Sequence, residues 1–158
     1  PEIGLNIRIA KPEDAEQVSL IAQKSVKFSR FHLDPYFDKN KASILLKTSA
    51  KNSIIEGFAD IMYVAEIDGK IAGYYSAKKK KIKEFNKVIG EVIISVIDSD
   101  FRGMGIFSKL DSHIQKWFSE NTDFAEMGTY LGNYPVHKTW INCRMPLIRG
   151  THQFSKLI

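Results

Sequence analysis

A single cysteine, Cys143, stands in a chain of 158 residues, which excludes an internal disulfide and any site built on several thiolates. Cys143 reads as a small helix residue, with a reactive thiol as the competing reading. The histidines His32, His113 and His152 show no metal-ligand spacing, so no zinc motif is present and no metal is expected. No apolar run is long enough to span a bilayer, and the N-terminal residues lack a signal-peptide pattern. The expected compartment is therefore the cytoplasm, with no membrane partner. Internal repeats, low-complexity segments and linkers are also missing. With 44% hydrophobic and 26% charged residues, what is left is an ordinary globular chain. Its length suits one domain over 1–158 and falls short of two.

Charge is the first positive feature. A net charge of +5 suits a polyanionic partner, either nucleic acid or a phosphorylated small molecule. The most basic run, KKKKIK from Lys78 to Lys83, reads as the solvated tip of a hairpin. Stacking aromatics are not interleaved with it and no nucleic-acid module signature occurs, so a specific nucleic-acid partner is not expected.

Patterning predicts the elements. Leu5 to Ala10 alternates as a strand, and Pro12 suits the first position of a helix running to about Lys24 through Ala15, Val18, Ile21 and Ala22. The aromatic segment SRFHLDPYF, broken by Pro35, reads as a loop, and Asp38 caps a second helix reaching Ser53. Ile61 to Ile67, the Asp68-Gly69 turn and Lys70 to Ala77 form the clearest hairpin, and a strand from Val88 to Ile97 follows it. Next come an amphipathic helix, a strand around Phe124 to Tyr130, a short helix opened by Pro135 and a last strand near Gln153 to Ile158. This order predicts an α/β (α+β) three-layer domain whose central sheet is mixed and mostly antiparallel, flanked by helices.

Within it, DSDFRGMGIFSKL (98–110) joins the strand GEVIISVI to a helix whose apolar face holds Ile106, Phe107, Leu110, Ile114, Trp117 and Phe118, with Asp111 among the polar residues between them. A glycine-bearing turn before a helix leaves unpaired backbone N–H groups at the positive end of the helix dipole, a shape suited to a phosphate. Gly103 and Gly105 also admit a plainer role as helix-opening glycines.

The element order and Arg102-Gly103-Met104-Gly105-Ile106 together resemble the GNAT superfamily of acyl-CoA-dependent N-acetyltransferases. Arg102 and Gly105 match its signature, whereas Phe107 stands where a small residue is usual, so a ring must face either core or ligand. NIRIAKPED, YVAEIDGKIAGYYSA and NYPVHKTW resemble further pieces of that pattern. SRFHLDPYF and GNYPVHKTW are similar to the branch that acetylates amino sugars on nucleotide carriers, of the TDP-fucosamine type.

The resemblance implies acetyl-CoA as co-substrate and a small-molecule amine as acceptor, with an amino sugar as one member of that class. Dimers are common in the family, so a homodimer is a family expectation. For the coenzyme, the resemblance places backbone groups of Ser95, Val96 and Ile97 on the pantetheine arm. It places Arg102, Gly103, Met104, Gly105, Ile106 and Phe107 at the pyrophosphate and Asn133 on the coenzyme; an N-cap is the alternative for Asn133. An ammonium must lose its proton before it attacks a thioester. Glu91 is the candidate base, although it equally suits a pair with a lysine at the sheet edge. Trp140 occupies the place of the family's proton-donating tyrosine, and indole is a donor but no acid near neutral pH. His137, Tyr134 or Tyr130 are then the candidate donors, or the thiolate leaves unaided. The aromatic loop Phe31 to Phe37 and the pair Tyr74 and Tyr75 are candidate acceptor contacts. Because Trp140, Arg144 and Met145 depart from the family pattern, a non-catalytic acyl-CoA-binding domain is the first alternative, and a basic nucleic-acid-binding domain the second.

Overall fold

The computed structural model of the chain describes residues 4–26, 29–152 and 154–156. Strand β1 (Leu5–Ile9) leads through a 3-10 turn at Pro12–Asp14 into α1 (Ala15–Ser25); α2 (Arg30–Leu33) and α3 (Lys39–Ile55) follow. Then come β2 (Ile61–Ile67), β3 (Lys70–Ile82), β4 (Lys87–Ile97), α4 (Ile106–Asn121), β5 (Phe124–Glu126) and α5 (Tyr134–Asn142). The five strands lie in sequence order in one sheet. β1 to β4 pair antiparallel, and β5 joins β4 in parallel.

The antiparallel part follows from its turns. Asp68 and Gly69 both have positive φ, 49° and 76°, the backbone that a two-residue hairpin needs to match strand twist. Alternation then sends neighbouring side chains to opposite faces. Tyr74 packs with Val18, Ile21 and Ala22 of α1 and Ala50 of α3. Tyr75 packs with Ile106, Leu110, Ile114 and Phe118 of α4. The result is three layers: α1 and α3, the sheet, and α4.

Four local expectations change. SRFHLDPYF carries one short helix, α2, which Ser29 caps by accepting from the His32 amide. The run from Lys78 to Ile82 is the outer half of β3, paired to Lys87–Glu91, and only Lys83 reaches the connecting turn. Its lysines are solvated on a paired backbone, which hydropathy alone does not distinguish from a loop. The strand expected from Phe124 to Tyr130 stops at Glu126. Of the last expected strand, Gln153, Leu157 and Ile158 lie outside the described residues, and the described part of 151–156 forms no strand. Among the described residues no helix is long and apolar enough to cross a membrane, and no group of three or more His, Cys, Asp or Glu is arranged to hold a metal ion.

Candidate active site

The site begins at an irregularity in β4. Ser76 faces Ile94 but Ala77 faces Val92, so Ile93 is an extra residue on β4. A bulge of this kind bends its strand and locally disrupts the ladder, which here continues on both sides of it. On the other edge of β4, pairing with β5 runs through Ile89–Phe124, Gly90–Ala125 and Glu91–Glu126 and stops there. From Val92 to Ile97 that edge of β4 therefore has no strand partner among the described residues. Ser95, Val96 and Ile97 lie on this free edge, and Val96 and Ile97 turn their side chains to opposite cores. Val96 and Ile97 thus present only backbone along this edge.

The free edge runs into a 3-10 turn at Ser99–Phe101 and then into the glycine turn. Gly103 and Gly105 have φ of 82° and 71°, and a Cβ at either would meet nothing within 4 Å. Both the conformation and the open space favour glycine. Gly105 is the N-cap of α4 and supplies no side-chain cap, and no acidic residue stands in the first turn. The first amides of a 16-residue helix are thus uncapped, with an uncompensated positive dipole end. Ile106 is buried, and the ring of Phe107 stacks on Tyr75 with centroids 5.7 Å apart. The large residue at position 107 accordingly faces the core and leaves the turn open.

Charged side chains tie this turn to the end of α1. The ammonium of Lys24 lies 2.9 Å from Asp98 and 2.8 Å from Asp100. Burial pushes the Asp98 carboxyl upward, but Lys24 and the Asp100 amide together hold it below the usual carboxylate range. The Arg102 guanidinium donates to the Ser25 carbonyl at 3.1 Å. This hydrogen bond ties the turn to the end of α1, whereas the resemblance places Arg102 at the pyrophosphate.

At the last paired position before the strands part, Glu91 and Glu126 sit side by side. Each has a cation: Glu91 lies 3.3 Å from Lys78, and Glu126 is paired with Arg149. Glu91 thus makes the lysine pair expected as its alternative role, and its side chain remains one-third exposed. Glu126 was not foreseen, because nothing in its own stretch announces where β4 and β5 separate.

The α5 residues divide into two groups. Asn133 stands at the N-cap position, but its side chain donates to Thr129 at 3.0 Å instead of capping the helix. His137 meets the carbonyl of Tyr130 at 3.2 Å, so both hold the segment after β5. Tyr134 is largely exposed. Trp140 points elsewhere: its indole N–H donates to Asp111 Oδ1 at 3.3 Å. That oxygen also accepts from the Tyr75 hydroxyl at 3.0 Å, and the Cys143 sulfur lies 3.9 Å from the other. Asp111 is 1% exposed; burial raises its pKa, and the hydrogen bonds from Tyr75 and Trp140 oppose that rise. Asp111 counts among the polar residues between the apolar positions of α4, yet its spacing of four from Phe107 and three from Ile114 puts it on the apolar stripe.

A cleft of about 1060 Å³ opens between the α2 region and the segment after β5; Glu91, the free edge of β4 and the glycine turn are not among its lining residues. One wall is Phe31, Leu33, Asp34 and Phe37 from the α2 region; the others are Thr129 to Leu131 after β5 and the described residues Thr151, His152, Phe154 and Ser155. The aromatic loop expected to meet the acceptor lines this cleft. Tyr74 and Tyr75 do not, since both are fully buried, one on each face of the sheet.

No protein-family model matches the chain, and no curated protein matches it by sequence. Solved structures match it in fold along nearly its whole length. A possible acetyltransferase from Clostridium difficile 630 superposes with a TM-score of 0.68 at 14% identity, covering 98% of each chain. An aminoglycoside acetyltransferase from an uncultured soil metagenomic sample, in complex with trehalose, gives 0.67 at 14% identity over 98% of this chain and 97% of that one. A ribosomal-protein-alanine N-acetyltransferase from Brucella melitensis biovar Abortus 2308 gives 0.70 at 12% identity over 97% of this chain and all of that one (100%). The shared architecture is the GNAT acetyltransferase fold.

Proposed function

We propose that the protein is an acyl-CoA-dependent N-acetyltransferase that moves an acetyl group from acetyl-CoA to a small-molecule amine. One observation carries this reading: β4 and β5 part after Glu91–Glu126, and the freed edge of β4 leads directly into an open glycine turn and an uncapped helix. In this reading the backbone of Ser95, Val96 and Ile97 pairs with the pantetheine arm as with an added strand. The amides from Gly103 to Phe107 receive the pyrophosphate, with Met104 and Ile106 contributing backbone only. The open space at the two glycines fits such a group. Arg102 and Lys24 keep the turn in shape, and Asn133 fixes the segment that borders the cleft. Amino sugars belong to the acceptor class in view, as do other small amines.

The co-substrate supplies an acetyl group activated as a thioester. Glu91, beside Lys78 where the strands part, takes the proton that the amine must lose, directly or through a water. The nitrogen then bonds to the acetyl carbon as the carbon–sulfur bond breaks. Tyr134, largely exposed on the opening turn of α5, is the first candidate to protonate the departing sulfur, and His137 is the second, through the ring nitrogen not engaged with the Tyr130 carbonyl; Trp140 donates to Asp111. A free thiol has a pKa of about 8.5, so departure as thiolate near neutral pH costs little. That engagement of Trp140 also favours a second reading, an acyl-CoA-binding domain without turnover.

Thiol release from acetyl-CoA over a panel of amines separates the two. The transferase reading expects release with at least one amine, and Glu91→Gln should cut kcat by about 10²-fold with coenzyme affinity unchanged. Equal rates for both proteins across pH would end the base assignment. Coenzyme binding with no release for any amine would favour the second reading.

A further inference from the structure

Resting on the transferase reading, we propose that the acceptor is an α-amino acid with an apolar side chain, bound as a zwitterion in the cleft with its carboxylate on Arg30 and its side chain on the aromatic wall. The cleft presents apolar surface outward: Leu33 is 45% and Phe37 50% exposed. The rings of Phe31 and Phe37 stand 5.3 Å apart at 57°, giving a tilted aromatic face. Side chains that were merely completing a core would be covered, whereas these line an open cavity.

Among the described lining residues, which also include the imidazole of His152, the formally charged side chains are the guanidinium of Arg30 and the carboxylate of Asp34. Spaced i and i+4 at the ends of α2, they would be natural partners. They are nevertheless held separately. The Arg30 guanidinium lies 4.5 Å from the centroid of the Phe31 ring, a cation–π contact, and a guanidinium can pair with a carboxylate through two parallel N–H groups. Asp34 accepts from the Tyr36 amide at 2.9 Å. Among the described residues neither forms an ion pair. Two opposite charges beside an aromatic face complement a carboxylate, an ammonium and an apolar side chain.

The same count argues against other amines. A polycationic amino sugar or polyamine would bring several ammonium groups to a single carboxylate. A nucleotide-linked sugar would bring two phosphates to a single guanidinium. Neither matches its charges as a zwitterion does. The chemistry also gives a reason for product release. An amino acid ammonium and the thioester yield the N-acetyl amino acid, the free thiol of coenzyme A and one proton. The amide nitrogen is neutral, so the attraction to Asp34 disappears when the new bond forms.

Equilibrium binding of four probes to the coenzyme A-saturated protein tests this: L-phenylalanine, phenylalanine amide, phenethylamine and spermidine. L-phenylalanine should bind at least about tenfold more tightly than the other three, the scale of a charge-assisted bidentate pair. Arg30→Gln should erase that advantage while leaving phenethylamine affinity within about twofold of the parent, and Arg30→Lys, which keeps the charge and loses the fork, should fall between. Phe37→Ala should weaken phenylalanine and phenethylamine alike. Tighter or equal binding of spermidine or phenethylamine, or discrimination that survives Arg30→Gln, would overturn the proposal. Thiol release in the same mixtures keeps the two readings distinct. Selective phenylalanine binding without release would refute the transferase and keep the cleft assignment, whereas release with amines that exclude phenylalanine would do the reverse.

Discussion

Replacing Asp111 should separate two roles that a buried carboxylate can have, acceptor and charge. In Asp111→Ala the fully buried Tyr75 hydroxyl loses its acceptor and keeps only the weak Met127 sulfur at 3.6 Å. An unsatisfied buried hydroxyl costs about 1–3 kcal/mol, and the vacated volume adds about 1 kcal/mol. The expected loss is about 2–4 kcal/mol, or about 4–16 °C in Tm for a chain of this size. Asp111→Asn keeps an oxygen for Tyr75 and Trp140 and removes the desolvated charge, so it should stay within about 1 kcal/mol of the parent or exceed it at neutral pH. The pH dependence has a definite sign. Burial raises the Asp111 pKa in the folded state, so the native protein takes up its proton before the unfolded chain does. Parent stability should rise as pH falls through that raised value toward the unfolded one near 3.9, and any advantage of Asp111→Asn should shrink over the same window. Urea midpoints by far-ultraviolet circular dichroism at pH 7 and pH 5 measure both effects. Equal midpoints for the Ala and Asn variants would refute the hydrogen-bond argument.

Two further stability predictions rest on packing and on an ion pair. Asp14 accepts from Arg8 Nη1 at 2.7 Å and Nη2 at 2.9 Å and from the Lys11 amide at 2.7 Å, and the Arg8 hydrogen bond holds its carboxyl below the usual range. Asp14→Asn should therefore cost about 1–3 kcal/mol at neutral pH. The difference should persist above about pH 4 and close as pH falls through the depressed folded pKa; a gap unchanged from pH 7 to 2 in denaturant titrations would contradict this. A Cβ at Gly90 would fall 2.3 Å from the Phe118 ring, so Gly90→Ala should cost about 1–3 kcal/mol through overpacking. Phe118→Leu in the same chain should cost less than the sum of the two changes, and strict additivity in Tm or urea midpoint would argue against the clash.

What was legible in the sequence is what local chemistry decides. The Asp68-Gly69 hairpin, the Asp38 cap of α3 and the apolar stripe of α4 each follow from residue types at fixed spacing. So does the glycine turn, since Gly103 and Gly105 carry the positive φ that other residues avoid. Features set by distant partners stayed hidden. The strand through Lys78 to Lys81 exists because β4 pairs with it, and no feature of four consecutive lysines announces that. Asp111 looks like a surface residue until Tyr75, 36 positions earlier, and Trp140, 29 later, meet it. The opening between β4 and β5 begins beside a bulge at Ile93 that no composition signal marks. Phe107, which departs from the family pattern, is accommodated by stacking on Tyr75 inside the core.

The most direct test of the central claim is a calorimetric titration of the protein with acetyl-CoA, repeated on Gly105→Asn and Gly105→Asp. Both side chains tolerate the left-handed backbone at that position, and they differ only in charge. A turn that receives the pyrophosphate predicts saturable binding by the parent, retained at reduced affinity in the Asn variant and weakened by at least about another tenfold in the Asp variant, most severely at low salt. Absence of binding by a folded parent, or equal affinities for the Asn and Asp variants, would contradict the account.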